Sequence, residues 1–338
     1  MVSGLPPMIE LILDYGLFLA KALTIVVALL VLVAVSITLS RKASDADSLT
    51  VENLNQRYRN LANTLKSAAL GKSELKALAK SEKENAKATR KKGSQRPKTF
   101  VIDFKGDIRA SGTDALREEI TAIISIAGKD DEVVVRLDNA GGMVHEHGLA
   151  ASQLVRLRDK NVPLVVAVDK VAASGGYLMA CVANEIVAAP FAILGSIGVL
   201  AQLPNFNRML EQHGVDFEQV TAGKYKRSVT MFGKNTDENR AKLREELEDV
   251  HELFKSIVSK YRPMLNIDEV ATGEHWYGER ALELKLADGL STSDELLTER
   301  ANDRDIFKVH FKIRHPLKKR LLGTADSMLE WLRQAGAR

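Results

Sequence analysis

Ser174 is the residue around which chemistry is most readily built. It stands in Val171-Ala172-Ala173-Ser174-Gly175-Gly176-Tyr177, between small residues and a glycine pair. The apolar run Pro163 to Val168 predicts a buried strand before it, and Leu178 to Ala183 predicts the start of a buried helix after it. A serine at a strand-to-helix turn is presented into a cleft, with backbone N–H groups beside it. That setting suits a nucleophile and a developing oxyanion. The same small residues would also suit a tightly packed turn, so the rest of the chain has to decide.

A second glycine pair follows the apolar stretch Asp131 to Leu137, in Asp138-Asn139-Ala140-Gly141-Gly142. Both pairs fall at the carboxyl ends of predicted parallel strands, where α/β sheets bind ligands. Glycines let backbone N–H groups approach a ligand with no Cβ in the way. Gly141 and Gly142 on one side and Gly175 on the other are therefore candidate donors of an oxyanion hole. Neither turn reads GxxxxGK[ST] or GxGxxG, which argues against a phosphate cradle.

A serine nucleophile needs a base. His145 and His147 flank Glu146, but an i, i+2 spacing does not place both rings on one helix face and HExxH is absent, so zinc is disfavoured. A Ser–His pair through one of them stays open. The better candidate is Lys226, in Ala222-Gly223-Lys224-Tyr225-Lys226-Arg227-Ser228 after the predicted strand Phe217 to Thr221. A lysine acts as a base only when its pKa falls from about 10.4 toward neutrality. Lys224 and Arg227 supply like charge near it, and Ser228 is placed to hydrogen-bond its amine. A basic surface loop would look the same by spacing. The single cysteine, Cys181, falls in an apolar helix and reads as a core thiol.

The elements that must position these residues follow from the hydrophobic pattern. The chain has 338 residues, 45 % hydrophobic but only 5 % aromatic, and a net charge of +4. That allows a sizeable aliphatic core and more than one domain. From residue 99 onward, predicted strands at 99–104, 131–137, 162–168 and 185–188 alternate with helices at 112–127, 144–160 and 174–183. Alternation of this kind implies an α/β domain with a mostly parallel sheet and right-handed connections. The apolar region Leu164 to Leu203 is interrupted by Asp169, Lys170, Asn184 and Glu185 and by four glycines, so it reads as the heart of that core and not as a membrane span. Asp237 to Tyr261 is a long charged helix with one apolar side, and helices are expected at 205–214, 278–286 and 293–300.

Ala22 to Ser40 is nineteen residues without a charge. At about 1.5 Å per residue it matches a hydrocarbon core of about 30 Å. The segment before it carries Glu10 and Asp14 and not a basic n-region, which favours an uncleaved anchor over a signal peptide. Residues 1–42 thus form an anchor with its span at about 22–40. Residues 43–98 read as a basic helical stalk: Leu54, Tyr58, Leu61, Leu65 and Ala69 mark one amphipathic helix. Between Lys66 and Lys98 nine Lys and two Arg face three Glu. Contact with anionic lipid is the sharper alternative for this segment; with one aromatic and no recognition motif, nucleic-acid binding is disfavoured. Residues 99–300 are the α/β domain, and 301–338 a basic tail with an apolar face from Leu317 to Leu332. Lys21 alone precedes the span while Arg41 and Lys42 follow it, which places the carboxyl side in the cytoplasm.

Five elements, AASGGY at 172–177, DNAGG at 138–142, GSIGV at 195–199, GKYKRS at 223–228 and GERALELKLADGL at 278–290, resemble the signal peptide peptidase A family in its own order. With the anchor and the basic segment, the resemblance to membrane-bound members covers nearly the whole chain. It implies a Clp protease/crotonase-like fold built on a repeated β-β-α core, and a serine endopeptidase with a Ser–Lys dyad and no cofactor or metal. Carried over residue by residue, Ser174 is the nucleophile and Lys226 the general base. The family's usual Asn-Ser-Pro-Gly-Gly is here Asp138-Asn139-Ala140-Gly141-Gly142, which keeps the glycines and loses Ser-Pro. One Ser motif and one Lys motif make a single repeat, which implies a homo-oligomer in the bilayer of a bacterial inner membrane. The substrates implied are peptides, such as signal-peptide remnants or misfolded envelope proteins; the family relation leaves a periplasmic catalytic domain open. The alternatives are a non-catalytic scaffold that binds peptides and a crotonase-like acyl-CoA enzyme.

Overall fold

The computed structural model describes residues 7–43, 47–71, 73–76, 96–226 and 228–313, and within the first helix it describes the side chains of 15–33. It divides into two units. The first contains helix α1 (Pro7–Ala43), in which Tyr15–Val33 is long and apolar enough to cross a membrane and is wholly unburied. The expected span at 22–40 lies within this helix. Apolar side chains left exposed along nineteen residues are stable in hydrocarbon and costly in water.

The second unit is an α/β domain around a seven-stranded sheet. Its strands are β1 (Ser48–Asn53), β2 (Lys98–Lys105), β3 (Glu132–Asp138), β4 (Leu164–Val168), β6 (Glu185–Ala188), β9 (Gly289–Leu290) and β10 (Asp305–Lys312). The order is β1-β10-β2-β3-β4-β6-β9, and every pairing from β10 to β9 is parallel. A smaller sheet joins β5 (Val171–Ala173), β7 (Ile193–Gly195) and β8 (His275–Tyr277). The central strands are apolar at nearly every position because both faces are covered. Phe100, Ile102, Val133, Val135, Leu164 and Val166 point to one side. There they meet α3 (Thr113–Ile126), α4 (Val144–Asp159), α5 (Gly175–Ala180) and the buried Phe254 and Val258 of α7 (Asp237–Tyr261). The alternate residues Val101, Val134, Val165 and Val187 face Leu54 of α2 (Leu54–Ala69) and Leu296 and Leu297 of α10 (Ser293–Arg300). Each such fully buried aliphatic side chain contributes about 1.5–3 kcal/mol. The run β4-β5-α5 is a β-β-α unit, with one strand in each sheet and then a helix, so the Clp protease/crotonase-like architecture is the one seen. Short helices α6 (Asn207–Gln212), α8 (Ile267–Val270) and α9 (Gly278–Glu283) complete the domain.

The domain is wider at both ends than 99–300. At the front, residues 48–69 are not a free stalk. The amphipathic helix is present as α2, but Asn55 is buried, donates to the Ala301 and Arg304 carbonyls, and accepts the Ile306 N–H at 2.6 Å. Asn53 caps the helix through Gln56 N–H. At the back, β10 pairs with β2 from Asp305↔Lys98 onward and buries Ile306 and Val309. A strand with few apolar residues is hard to separate from a charged linker by pattern alone. The lysine-rich stretch 77–95, Arg227 and the tail 314–338 lie outside the described residues. The strand expected at Phe217–Thr221 is absent. That segment finds no partner strand, Val220 is 97 % exposed, and Phe217 packs on Phe232 instead.

One buried carboxyl ties β10 to the helical layer. Glu119 of α3 accepts the Phe311 N–H at 2.8 Å, with His310 Nδ1 at 3.4 Å. Burial raises its pKa, partly offset by the Phe311 N–H and His310, while the charge of Asp103 adds to the rise. A carboxyl with a raised folded-state pKa adds stability below its ordinary value and loses it as pH climbs through the raised one. The Glu119→Gln variant should therefore gain more in Tm, relative to wild type, at pH 8 than at pH 4.5. Thermal melts at the two pH values check this, and an equal or reversed difference would refute it.

Candidate active site

The turn that carries Ser174 is strained by construction. Ser174 has φ 51° and ψ −120°, a backbone that residues other than glycine adopt at a cost of order 1–3 kcal/mol. The surroundings over-determine it. Its N–H donates to the Gly195 carbonyl at 2.8 Å and its carbonyl accepts the Leu178 N–H at 2.9 Å. The Gly195 carbonyl belongs to the GSIGV stretch, where φ at Gly195 is +99° and the ring of Trp276 fills the space a Cβ would need. The Ser174 side chain is half-buried, and its hydroxyl has no hydrogen-bond partner among the described residues. The strained backbone thus carries a hydroxyl that has no partner among the described residues.

The other glycine turn closes on it. Asn139 forms a parallel bridge with Ala172: its N–H donates to the Val171 carbonyl and its own carbonyl accepts the Ala173 N–H. This brings Gly141, at φ +94°, so close that an added Cβ would lie 2.8 Å from Ser174 Cβ, the Ala173 oxygen and the Gly175 nitrogen alike. A Cβ on Gly176 would lie 2.0 Å from the Asn139 oxygen. Both turns are glycine because backbone meets backbone. Ser174, Gly141, Gly142 and Gly175 are thus brought together, with one correction. The Gly141 N–H is already engaged, donating to Asn139 Oδ1 at 2.9 Å. The N–H groups of Gly142 and Gly175 have no acceptor among the described residues.

Lys226 is not joined to Ser174 within the chain. It lies on an exposed loop, with no hydrogen bond or ion pair from its amine among the described residues. The loop is moored to α7: the Tyr225 ring lies between Lys224 Nζ at 4.9 Å and Lys242 Nζ at 5.1 Å, and Lys224 reaches Glu238. Ser228 was expected to hold the lysine amine. Its hydroxyl instead donates to Glu246 at 3.3 Å, since a carboxylate on the neighbouring helix is the stronger acceptor. The two candidate histidines diverge. His145 points outward beside Glu146, whereas His147 is fully buried with its Nδ1 at the Met143 carbonyl and its Nε2 near Asn139. Neither is hydrogen-bonded to Ser174. Burial pushes the Cys181 thiol up to about 12, so it stays protonated and inert.

Sequence reasoning missed the loop over the glycine turn. The Met143 N–H donates to the Ile108 carbonyl, and a Cβ on Gly142 would lie 2.2 Å from that oxygen. Asp107 shapes the loop by accepting from Ser111 and Arg109, and the Ser111 bonds hold its carboxyl below the ordinary value. Ile108, Met143 and Val144 then form an exposed apolar lip beside the turn. The signal for it was Gly106-Asp107, a turn-forming pair directly after a strand.

An α/β domain that sets a strained serine beside a glycine turn can present a hydroxyl to a carbonyl substrate, and comparison with known proteins gives the class of protein. Models of peptidase family S49 match the chain over residues 10–154 (its N-terminal part) and 156–306, and the chain belongs to that family. It is 44 % identical over 324 residues to the probable protease SohB of Haemophilus influenzae, covering 92 % of each chain. It is 45 % identical over 321 residues to the probable protease SohB of Buchnera aphidicola subsp. Acyrthosiphon pisum, covering 95 % of this chain and 96 % of that one. Among solved structures it aligns with the 1510-N membrane protease specific for a stomatin homolog from Pyrococcus horikoshii. That match has 15 % identity and a TM-score of 0.37, over 62 % of this chain and 86 % of the other.

Proposed function

We propose that this protease is a membrane-anchored serine endopeptidase in which Ser174 is the nucleophile and Lys226 the general base. The observation that carries the proposal is the Ser174 turn: a strained backbone whose hydroxyl, like the N–H groups of Gly142 and Gly175, has no partner among the described residues. Neutral Lys226 takes the Ser174 Oγ proton as Oγ attacks a peptide carbonyl. The N–H groups of Gly142 and Gly175 stabilise the oxyanion, each worth roughly 3–4 kcal/mol. Lys226 then protonates the leaving amine, and water hydrolyses the acyl-enzyme. The exposed position of Lys226 fits a site completed between neighbouring subunits of a homo-oligomer. The apolar lip of Ile108, Met143 and Val144 favours peptides with hydrophobic side chains, as in signal-peptide remnants. Arg41 and Lys42 after the span favour a cytoplasmic catalytic domain in a single-pass inner-membrane protein.

A fluorophosphonate probe tests the nucleophile directly. Prolonged exposure of the detergent-solubilised protein should give one adduct, located by mass spectrometry on the peptide containing Ser174. A protein that stays unlabelled, or is labelled at another serine, contradicts the assignment.

A further inference from the structure

Two buried polar side chains behind the glycine turn serve neither as nucleophile nor as base. Asn139 is 1 % exposed and His147 0 %. They are wedged between the two turns. A Cβ on Gly175 would lie 2.5 Å from His147 Cγ, and a Cβ on Gly106 would lie 2.2 Å from Asn139 Cγ. Asn139 Oδ1 accepts the Gly141 N–H at 2.9 Å and lies 3.2 Å from His147 Nε2, while Asn139 Nδ2 donates to Met179 Sδ at 3.3 Å. The Met143 carbonyl, 3.0 Å from His147 Nδ1, can only accept, so Nδ1 carries a proton. The amide stands with Oδ1 between the Gly141 N–H and His147 Nε2, so the imidazole lies against the same end of the amide that holds the Gly141 N–H.

We infer that His147 and Asn139 are positioning residues for the reaction. The imidazole sets the Asn139 amide, and the amide oxygen pins the Gly141 N–H, which fixes the turn that carries the Gly142 donor against Ser174. The inference rests on the serine-peptidase reading above. His147 reaches the second turn as well, since its ring is the surface on which the Gly175 backbone lies. One buried pair thus sets the spacing between the two proposed oxyanion donors. A side chain kept only for packing would not need polar atoms at 0 % exposure, where each has to find a partner.

The experiment compares wild type, His147→Ala, His147→Gln and Ser174→Ala in detergent, measuring kcat and KM on a fluorogenic peptide, fluorophosphonate labelling and Tm. A misplacement of about 1 Å at the donors costs about 10²-fold in rate. His147→Ala should therefore lower kcat by about that factor with KM nearly unchanged, while Ser174 is still labelled. The His147→Gln amide keeps a donor near Asn139 and should recover all but about tenfold, a single hydrogen bond's worth. Should His147→Ala fail to fold, His147→Gln against wild type carries the test through the same split between kcat and KM. Unchanged kcat in the folded variants, or a loss confined to KM, overturns the inference. Retained cleavage by Ser174→Ala overturns instead the reading on which it rests, so the two failures are distinct.

Discussion

Ser174→Ala and Lys226→Ala each lower peptide hydrolysis by about 10⁴-fold or more, and the double variant is no worse than either single one. In the proposed dyad Oγ and Nζ act on one proton. Remove the oxygen and there is nothing to deprotonate; remove the amine and the hydroxyl remains a poor nucleophile. Groups that act as a unit lose their effect together, so their losses do not add. The fold should survive both changes. The Ser174 hydroxyl holds no hydrogen bond among the described residues, and the turn is fixed by its backbone bonds to Gly195 and Leu178. Lys226 is exposed. Peptide hydrolysis alongside circular dichroism measures both sides of this expectation, and near-normal cleavage by either variant would sink the dyad. The exposed position of Lys226 adds a second arm. If serine and lysine come from neighbouring protomers, co-expressing the two inactive variants in equal amounts pairs an intact serine with an intact lysine at about a quarter of the sites. Activity near that fraction means a shared site, and none means that each chain supplies both groups.

How far this site was legible in the sequence can be followed residue by residue. Ser174 and the glycines at 141, 142, 175 and 176 were visible because each answers a local demand, a strand-to-helix turn or a close backbone approach, and local demands leave their mark in residue type. The central strands were visible because a parallel sheet buried on both faces writes a continuous apolar run. Asn139 reads in the sequence only as part of a glycine motif. Its role depends on Ala172 and His147, which only the fold brings beside it. Gly141 reads in the sequence as an oxyanion donor, and nothing local says that its N–H is spent on Asn139. Strands β1 and β10 read as stalk and tail because a strand with few apolar residues takes its identity from the strands it pairs with. Ser228 and Lys226 sit in a charged loop, where spacing does not fix which neighbour a side chain meets.

Arg262→Ala destabilises the folded domain by about 3–5 kcal/mol, enough to consume much of a typical stability margin. Arg262 follows α7 and is 1 % exposed, the largest fully buried side chain among the described residues. Its guanidinium donates to both oxygens of Asp288, at 2.7 and 2.8 Å, and to the Lys285 carbonyl at 2.8 Å. Asp288 Oδ2 also accepts the Ile186 N–H, and the neighbouring Tyr177 hydroxyl donates to the Leu286 carbonyl. One cation thus joins the carboxyl end of α7, the loop before β9, strand β6 and, through Tyr177, the helix that follows Ser174. Removing it leaves a carboxylate and a carbonyl facing a cavity, a costlier state than never having buried the pair. Arg262→Lys should recover little, because an ammonium cannot span both carboxylate oxygens as the planar fork does. Replacing the pair together, as Arg262→Met with Asp288→Leu, removes the uncompensated charge and should cost less than Arg262→Ala alone, although the Ile186 N–H then loses its acceptor. Urea melts of the four proteins measure this order. A double variant as unstable as the single one would show that the bidentate pair is not what holds α7 to the sheet.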